Sequence, residues 1–185
     1  MKTLLLLTLL AAPLAPLTLH AQTDAMPPET QAPMPMPAKP VKPSNSLAVT
    51  FQGHTTTFSV SDLLKLPQTT ITALDGHTGK TETFTGPLVA DVLRQSGLTP
   101  SAETHALILH SSVIATGADG YFVLYSAAEL EPMFANAKPI VALMKNGLPD
   151  TDGGTLQLIN PADAKPARWV HGLTQLNVMS ISPTK

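Results

Sequence analysis

The stretch 69-TTITALDGHTGKTETFTGPLVADVLRQSGL-98 changes its hydrophobic period once, and that change sets the fold class. Thr69 to Asp75 and Lys80 to Thr85 alternate apolar and polar residues, the pattern of half-buried strands. Between them DGHTG supplies turn chemistry, because Asp accepts hydrogen bonds from nearby backbone and Gly accepts a positive φ. Gly86 and Pro87 end the alternation. Pro87 suits a first helical position, Leu88, Val89, Val92 and Leu93 recur at helical spacing, and Gly97 stands where a helix stops. The segment reads as a hairpin that feeds an apolar-faced helix.

Outward from this unit, strands outnumber helices. LAVTFQGHTTTFSV reads as two short strands about Gly53 and His54, and Ser61 to Leu66 as a turn of helix stopped by Pro67. HALILH (105–110) is expected to be a buried strand, and DGYFVLYS (119–126) a second one entered through a turn at Asp119 and Gly120. Ser126 followed by Glu129 forms a capping box at the start of AAELEPMF. PIVALM and TLQLIN are strands joined across NGLPDTDGG, and TQLNVMSI is the last strand. Strands that arrive in neighbouring pairs point to an α+β domain, β-rich with mixed and antiparallel pairing and a few short helices.

The chain start suggests a compartment. Lys2, the apolar run Leu4 to Leu10 and the small Ala21 read as a cleaved secretory signal over residues 1–21, too short and too interrupted by Pro13 and Pro16 for a membrane span. Once it is removed no integral membrane segment is expected, and the protein is expected to be periplasmic or secreted. Residues 22–46 hold seven prolines and few aliphatic side chains, so they read as a Pro/Met-rich disordered linker. Residues 47–185 form one domain, long enough for a core of its own. It lacks cysteine, so neither a disulfide nor a metal thiolate is available.

Net charge narrows the partners. The whole chain carries −2; Lys2, Lys39 and Lys42 against Asp24 and Glu29 leave −3 on residues 47–185, which contain only two arginines, Arg94 and Arg168. No basic stripe for nucleic acid is present.

Several residue sets could carry chemistry. Asp75 and His77 could be a base and its orienting acid, or two metal ligands, but Asp-Gly and Thr-Gly are what a tight hairpin needs, and the turn is the favoured reading. His110-Ser111-Ser112 places a base beside hydroxyls without a nucleophile elbow, and neighbours in a strand point to opposite faces. The six histidines, at 20, 54, 77, 105, 110 and 171, make no H-E-x-x-H or His-x-His pair, so no zinc site is indicated. Met26, Met34 and Met36 are soft ligands of a kind that holds Cu(I). In KPARWVHGL, Arg168 beside Trp169, the only Trp, is either a cation near an aromatic anchor or one wall of an anion pocket.

The ordered segments LLKLPQTTI, FTGPLVADVLRQSGL, DGYFVLYSAAELEPMF and IVALMKNGLPDTDGGTLQLINPADAKPARWVHGLTQLNV resemble the sulfite-oxidase-type molybdopterin-binding domain, most of all its small exported members. The resemblance spans about residues 47 to 182 and implies that fold. It also implies an oxidoreductase with a molybdenum pterin cofactor, but the position where such enzymes carry their metal-ligand cysteine falls at Leu74 or Asp75. Gln157 stands where the family has an arginine, Arg168 is kept, and His171 replaces a lysine. The expectation is therefore a non-catalytic domain without cofactor, whose pocket, formed by His110, Gln157, Arg168 and His171, takes a small anion or a periplasmic protein partner. The alternative is a molybdopterin-dependent oxidoreductase with non-cysteine ligation.

Overall fold

The computed structural model describes residues 41–76 and 78–181. The expected signal, Met26, Met34, Met36, most of the linker and His77 lie outside the described residues. In chain order the elements are β1 (Ser46–Phe51), β2 (His54–Ser59), α1 (Val60–Leu64), β3 (Gln68–Leu74), β4 (Thr81–Pro87), α2 (Val89–Gln95), α3 (His105–Leu109), β5 (Ser111–Gly117), β6 (Phe122–Ser126) and α4 (Ala127–Leu130). They continue with β7 (Ile140–Ala142), β8 (Met144–Lys145), β9 (Leu148–Pro149), β10 (Gln157–Ile159), a 3-10 turn (Pro166–Arg168), β11 (Val170–His171) and β12 (Leu173–Ser180).

The fold is α+β and strand-rich, with four short α-helices among the described residues. A five-stranded sheet runs β2-β1-β12-β5-β6, a four-stranded sheet β3-β4-β8-β9, and a three-stranded sheet β11-β10-β7. The first and last strands, β1 and β12, pair in parallel with Val49 opposite Leu176, and the other ladders are antiparallel. One face of the large sheet supplies Leu47, Val49, Val113, Ala115 and Leu176 to the main core, where Val89, Val92 and Leu93 of α2 also pack. A second core of Ile71, Phe84, Ile140, Ala142, Ile159 and Trp169 joins the two smaller sheets.

Local chemistry accounts for several boundaries. Gln52 and Gly53 both adopt positive φ, 49° and 81°, as a two-residue hairpin turn requires. Gly97, at φ 99°, ends α2: its N–H donates to Arg94 O and the Leu98 N–H to Leu93 O, a pair of bonds that satisfies the last carbonyls. Ser59 caps α1 with a full capping box to Asp62, which the sequence reading missed.

Four expectations need correction. HALILH is not a strand but α3, because Ile108 is buried and Leu107 half-buried on one helical face while Leu109 stays exposed. Pro87 ends β4 opposite Gln68, and α2 starts at Val89 with Leu88 as its cap, since Leu88 keeps extended backbone to bridge Ile140. PIVALM is split: β7 joins β10 while β8 joins β4, so the chain passes from one sheet to another at Leu143. The Ser126 side chain makes no capping bond. The folded part also begins before residue 47, because the Ser44 N–H donates to Gly154 O at 3.0 Å and its hydroxyl donates to Leu173 O. Among the described residues no helix is long and apolar enough to cross a membrane.

Candidate functional site

The β3–β4 corner meets the segment that carries Arg168, Trp169 and His171. A Cβ on Gly76 would lie 2.4 Å from Pro166 Cγ, so only glycine permits this approach. Beside the contact opens a cleft of about 380 Å³, lined by Gly76, Asp119, Tyr121, Pro166, Trp169 and His171 among others. The Asp119 carboxylate accepts the Tyr121 N–H at 2.9 Å, and the Tyr121 hydroxyl donates to Ala167 O, which ties the β5–β6 turn to the opposite wall.

His171 on β11 lies opposite Gln157 on β10. Gln157 Nε2 is 3.4 Å from His171 Nε2, a contact that steadies the ring when Nε2 is the acceptor. Behind them Gly153 lets two buried polar side chains pack closely, since its Cβ would stand 2.3 Å from Asp150 Oδ2 and 2.4 Å from Gln157 Oε1. Asp150 Oδ1 accepts the Gly153 N–H at 2.7 Å, while Oδ2 has no hydrogen-bond partner among the described residues. Burial raises the Asp150 pKa, with the Gly153 N–H opposing the rise.

Trp169 is buried against Phe84, ring centroids 5.6 Å apart and edge-on, and its indole N–H finds no acceptor among the described residues. Arg168 does not stack on it. Arg168 ends the 3-10 turn and Trp169 resumes extended backbone, and Arg168 lies instead over Tyr125, 4.4 Å from the ring centroid. There its guanidinium grips Glu129 through two bonds of 3.0 and 3.2 Å and reaches Asp163 at 3.1 Å. The Glu129 hydrogen bond and the Asp163 charge raise the Arg168 pKa, whereas burial raises that of Asp163. Glu129, expected in a capping box, is thus committed to Arg168 and to the Asn160 amide.

Asp75 is neither a free base nor only a turn residue. Its carboxylate accepts from Lys145 Nζ at 2.7 Å, and Lys145 also lies 2.8 Å from Glu82 and 3.5 Å from Asp152. His110 caps the C-terminal end of α3 and lines a different groove, with Leu109, Leu124 and Ile181. Its neighbour Ser111 donates to Leu107 O at 2.7 Å and Ser112 to Met179 O at 3.5 Å, so both hydroxyls serve local structure.

Of the four expected pocket residues, then, His171 lines the cleft and Gln157 supports it. Arg168 is held by carboxylates and His110 lies elsewhere. Lys145, Asp150, Asp163 and Tyr121 were missed. For Lys145 part of the signal was present in MKNGLPD, where Asn146-Gly147 marks a hairpin that places Lys145 opposite Leu148; its pairing with Phe84 of β4 is long-range.

The residues present do not fit a molybdenum pterin. Leu74 turns its side chain to solvent, Asp75 is bound to Lys145, Gln157 is neutral and buried, and Arg168 is already neutralised. No protein-family model matches the sequence, and no curated protein shows a significant match to it.

Proposed function

We propose that the chain is an exported, non-catalytic binding domain on a sulfite-oxidase-type frame, whose cleft around His171 and Trp169 takes a small uncharged ligand with a hydrogen-bond acceptor. One observation carries this reading: Trp169 lines the cleft, and its buried indole N–H has no acceptor among the described residues. A buried donor without a partner costs about 1–3 kcal/mol, which a ligand acceptor would recover.

The anion expected from the sequence gives way to an uncharged ligand on electrostatic grounds. Lys145 and Arg168 each meet at least two carboxylates, and Asp119 adds a further negative group at the cleft. The flat walls offered by Pro166 and Tyr121 suit a planar ring. The Asp119 carboxylate is used by backbone, as acceptor of the Tyr121 N–H.

Thermal unfolding with added probes tests the reading. Pterin or guanine is expected to raise the melting temperature of the wild type and not of Trp169→Phe, which keeps a ring but removes the N–H. Protection by inorganic phosphate without protection by these heterocycles, or one molybdenum per chain in protein recovered from its own cell envelope, would overturn it.

A further inference from the structure

The large sheet has edges at β2 and β6, and β6 lacks the usual protection. Edge strands in monomers carry lysine, proline or a bulge that discourages pairing. FVLYS has none of these, and its register with β5 is unbroken from Phe122 opposite Thr116 to Ser126 opposite Ser112. The Gly117 N–H donates to Tyr121 O at 2.8 Å, so 117 and 121 form a hydrogen-bonded pair. Antiparallel pairs alternate, which places the N–H and C=O of Phe122 and Leu124 on the outer edge, away from β5. Their side chains lie on the uncovered face of the sheet.

That face is apolar near this edge. Phe122 is 65 % exposed, Leu124 60 %, Ile181 68 %, Met179 49 % and Leu109 45 %, together on the order of 500 Å² of apolar surface, the size of the largest patch on a typical monomer, which is often functional. A groove of about 450 Å³, lined by Leu109, Ser112, Leu124, Ser126 and Ile181 among others, lies at the end of β6.

We propose that β6 pairs antiparallel with β6 of a second copy about a two-fold axis at Leu124, joining two five-stranded sheets into one of ten strands. A second copy fits for three reasons. With Leu124 facing its own counterpart, Phe122 of one copy falls opposite Ser126 of the other, beside the groove, which then receives its ring. No charge meets a like charge along the strand, because β6 carries none. The exposed side chains nearest the edge, Phe122 and Leu124 of each copy, are the apolar surface that such a seam covers.

Sedimentation equilibrium of the purified chain is expected to give twice the chain mass, and the exposed double substitution Phe122→Lys, Leu124→Lys is expected to give the chain mass with unchanged circular dichroism. Since the protein has no cysteine, Leu124→Cys tests the axis directly: a hydrogen-bonded antiparallel pair sets Cα atoms about 5.5 Å apart, within disulfide range. Mild oxidation should link this variant into dimers and leave Thr57→Cys, on the opposite edge strand, unlinked. A wild-type monomer at all concentrations, a dimer that persists in the double-lysine variant, or equal linking of both cysteine variants would each overturn the proposal.

Discussion

The Lys145 ammonium and the Asp75 carboxylate, 70 residues apart in the chain, meet at 2.7 Å with side chains only 11 % and 7 % exposed. Glu82 joins them at 2.8 Å, so one lysine holds the β3–β4 corner against β8. Replacing Lys145 with Met leaves carboxylates facing each other with little water to screen them. Urea denaturation is expected to show a loss of about 3 kcal/mol, the low end for breaking a buried pair. Burial lowers the Lys145 pKa, but Asp75 and its acidic neighbours outweigh it and leave a net rise. A raised lysine contributes stability throughout the neutral range and loses it only as pH climbs through the folded-state value, above the usual lysine range. Wild type and Lys145→Met should therefore converge in stability at strongly alkaline pH.

Asp150→Asn is expected to stabilise the protein. The amide can still accept the Gly153 N–H, and it adds a donor beside Gln157 Oε1 where the carboxylate Oδ2 has no partner. The gain at neutral pH should be about 1 kcal/mol, the net worth of one hydrogen bond. Because the folded-state pKa of Asp150 is raised by burial, the wild type gains stability as pH falls through that value. The advantage of Asn should thus shrink on acidification, as measured by melting temperature against pH.

Gly86→Ala tests the close approach of β4 to β7. A Cβ there would lie 1.9 Å from Val141 O, and backbone on both sides leaves no flexible group to move. Overpacking of this kind costs typically 1–3 kcal/mol and occasionally more; a loss of about 3 kcal/mol or more in chemical denaturation is expected.

The two serines that precede helices should behave differently. Ser59→Ala removes a hydroxyl that accepts the Asp62 N–H at 3.2 Å and should cost about 1 kcal/mol. Ser126→Ala removes no capping bond and should change stability by less than about 0.5 kcal/mol. Equal losses would restore the capping role read from the sequence at Ser126.

Legibility followed the distance over which each signal acts. The β1–β2 and β3–β4 hairpins, the stop of α2 at Gly97 and the long strand β12 were readable because period and turn chemistry involve neighbours in sequence. HALILH was misread for the same reason: six residues of mixed burial satisfy either period, and packing of Ile108 chose the helix. At the cleft, the turn chemistry around Gly76 and the lone tryptophan were legible as residue types. The charge state of the site was not, since Glu129 and Arg168 meet across 39 residues.

The sequence alone determined a strand-rich α+β chain without thiolates, with little positive charge and with its single tryptophan beside an arginine. Tertiary structure decided that β1 and β12 pair in parallel, that Arg168 turns from Trp169 to Tyr125, and that Lys145 and Arg168 are both spent on carboxylates. The reason is physical. A hydrophobic period records which face of an element is buried, whereas an ion pair depends on where two distant elements come to rest.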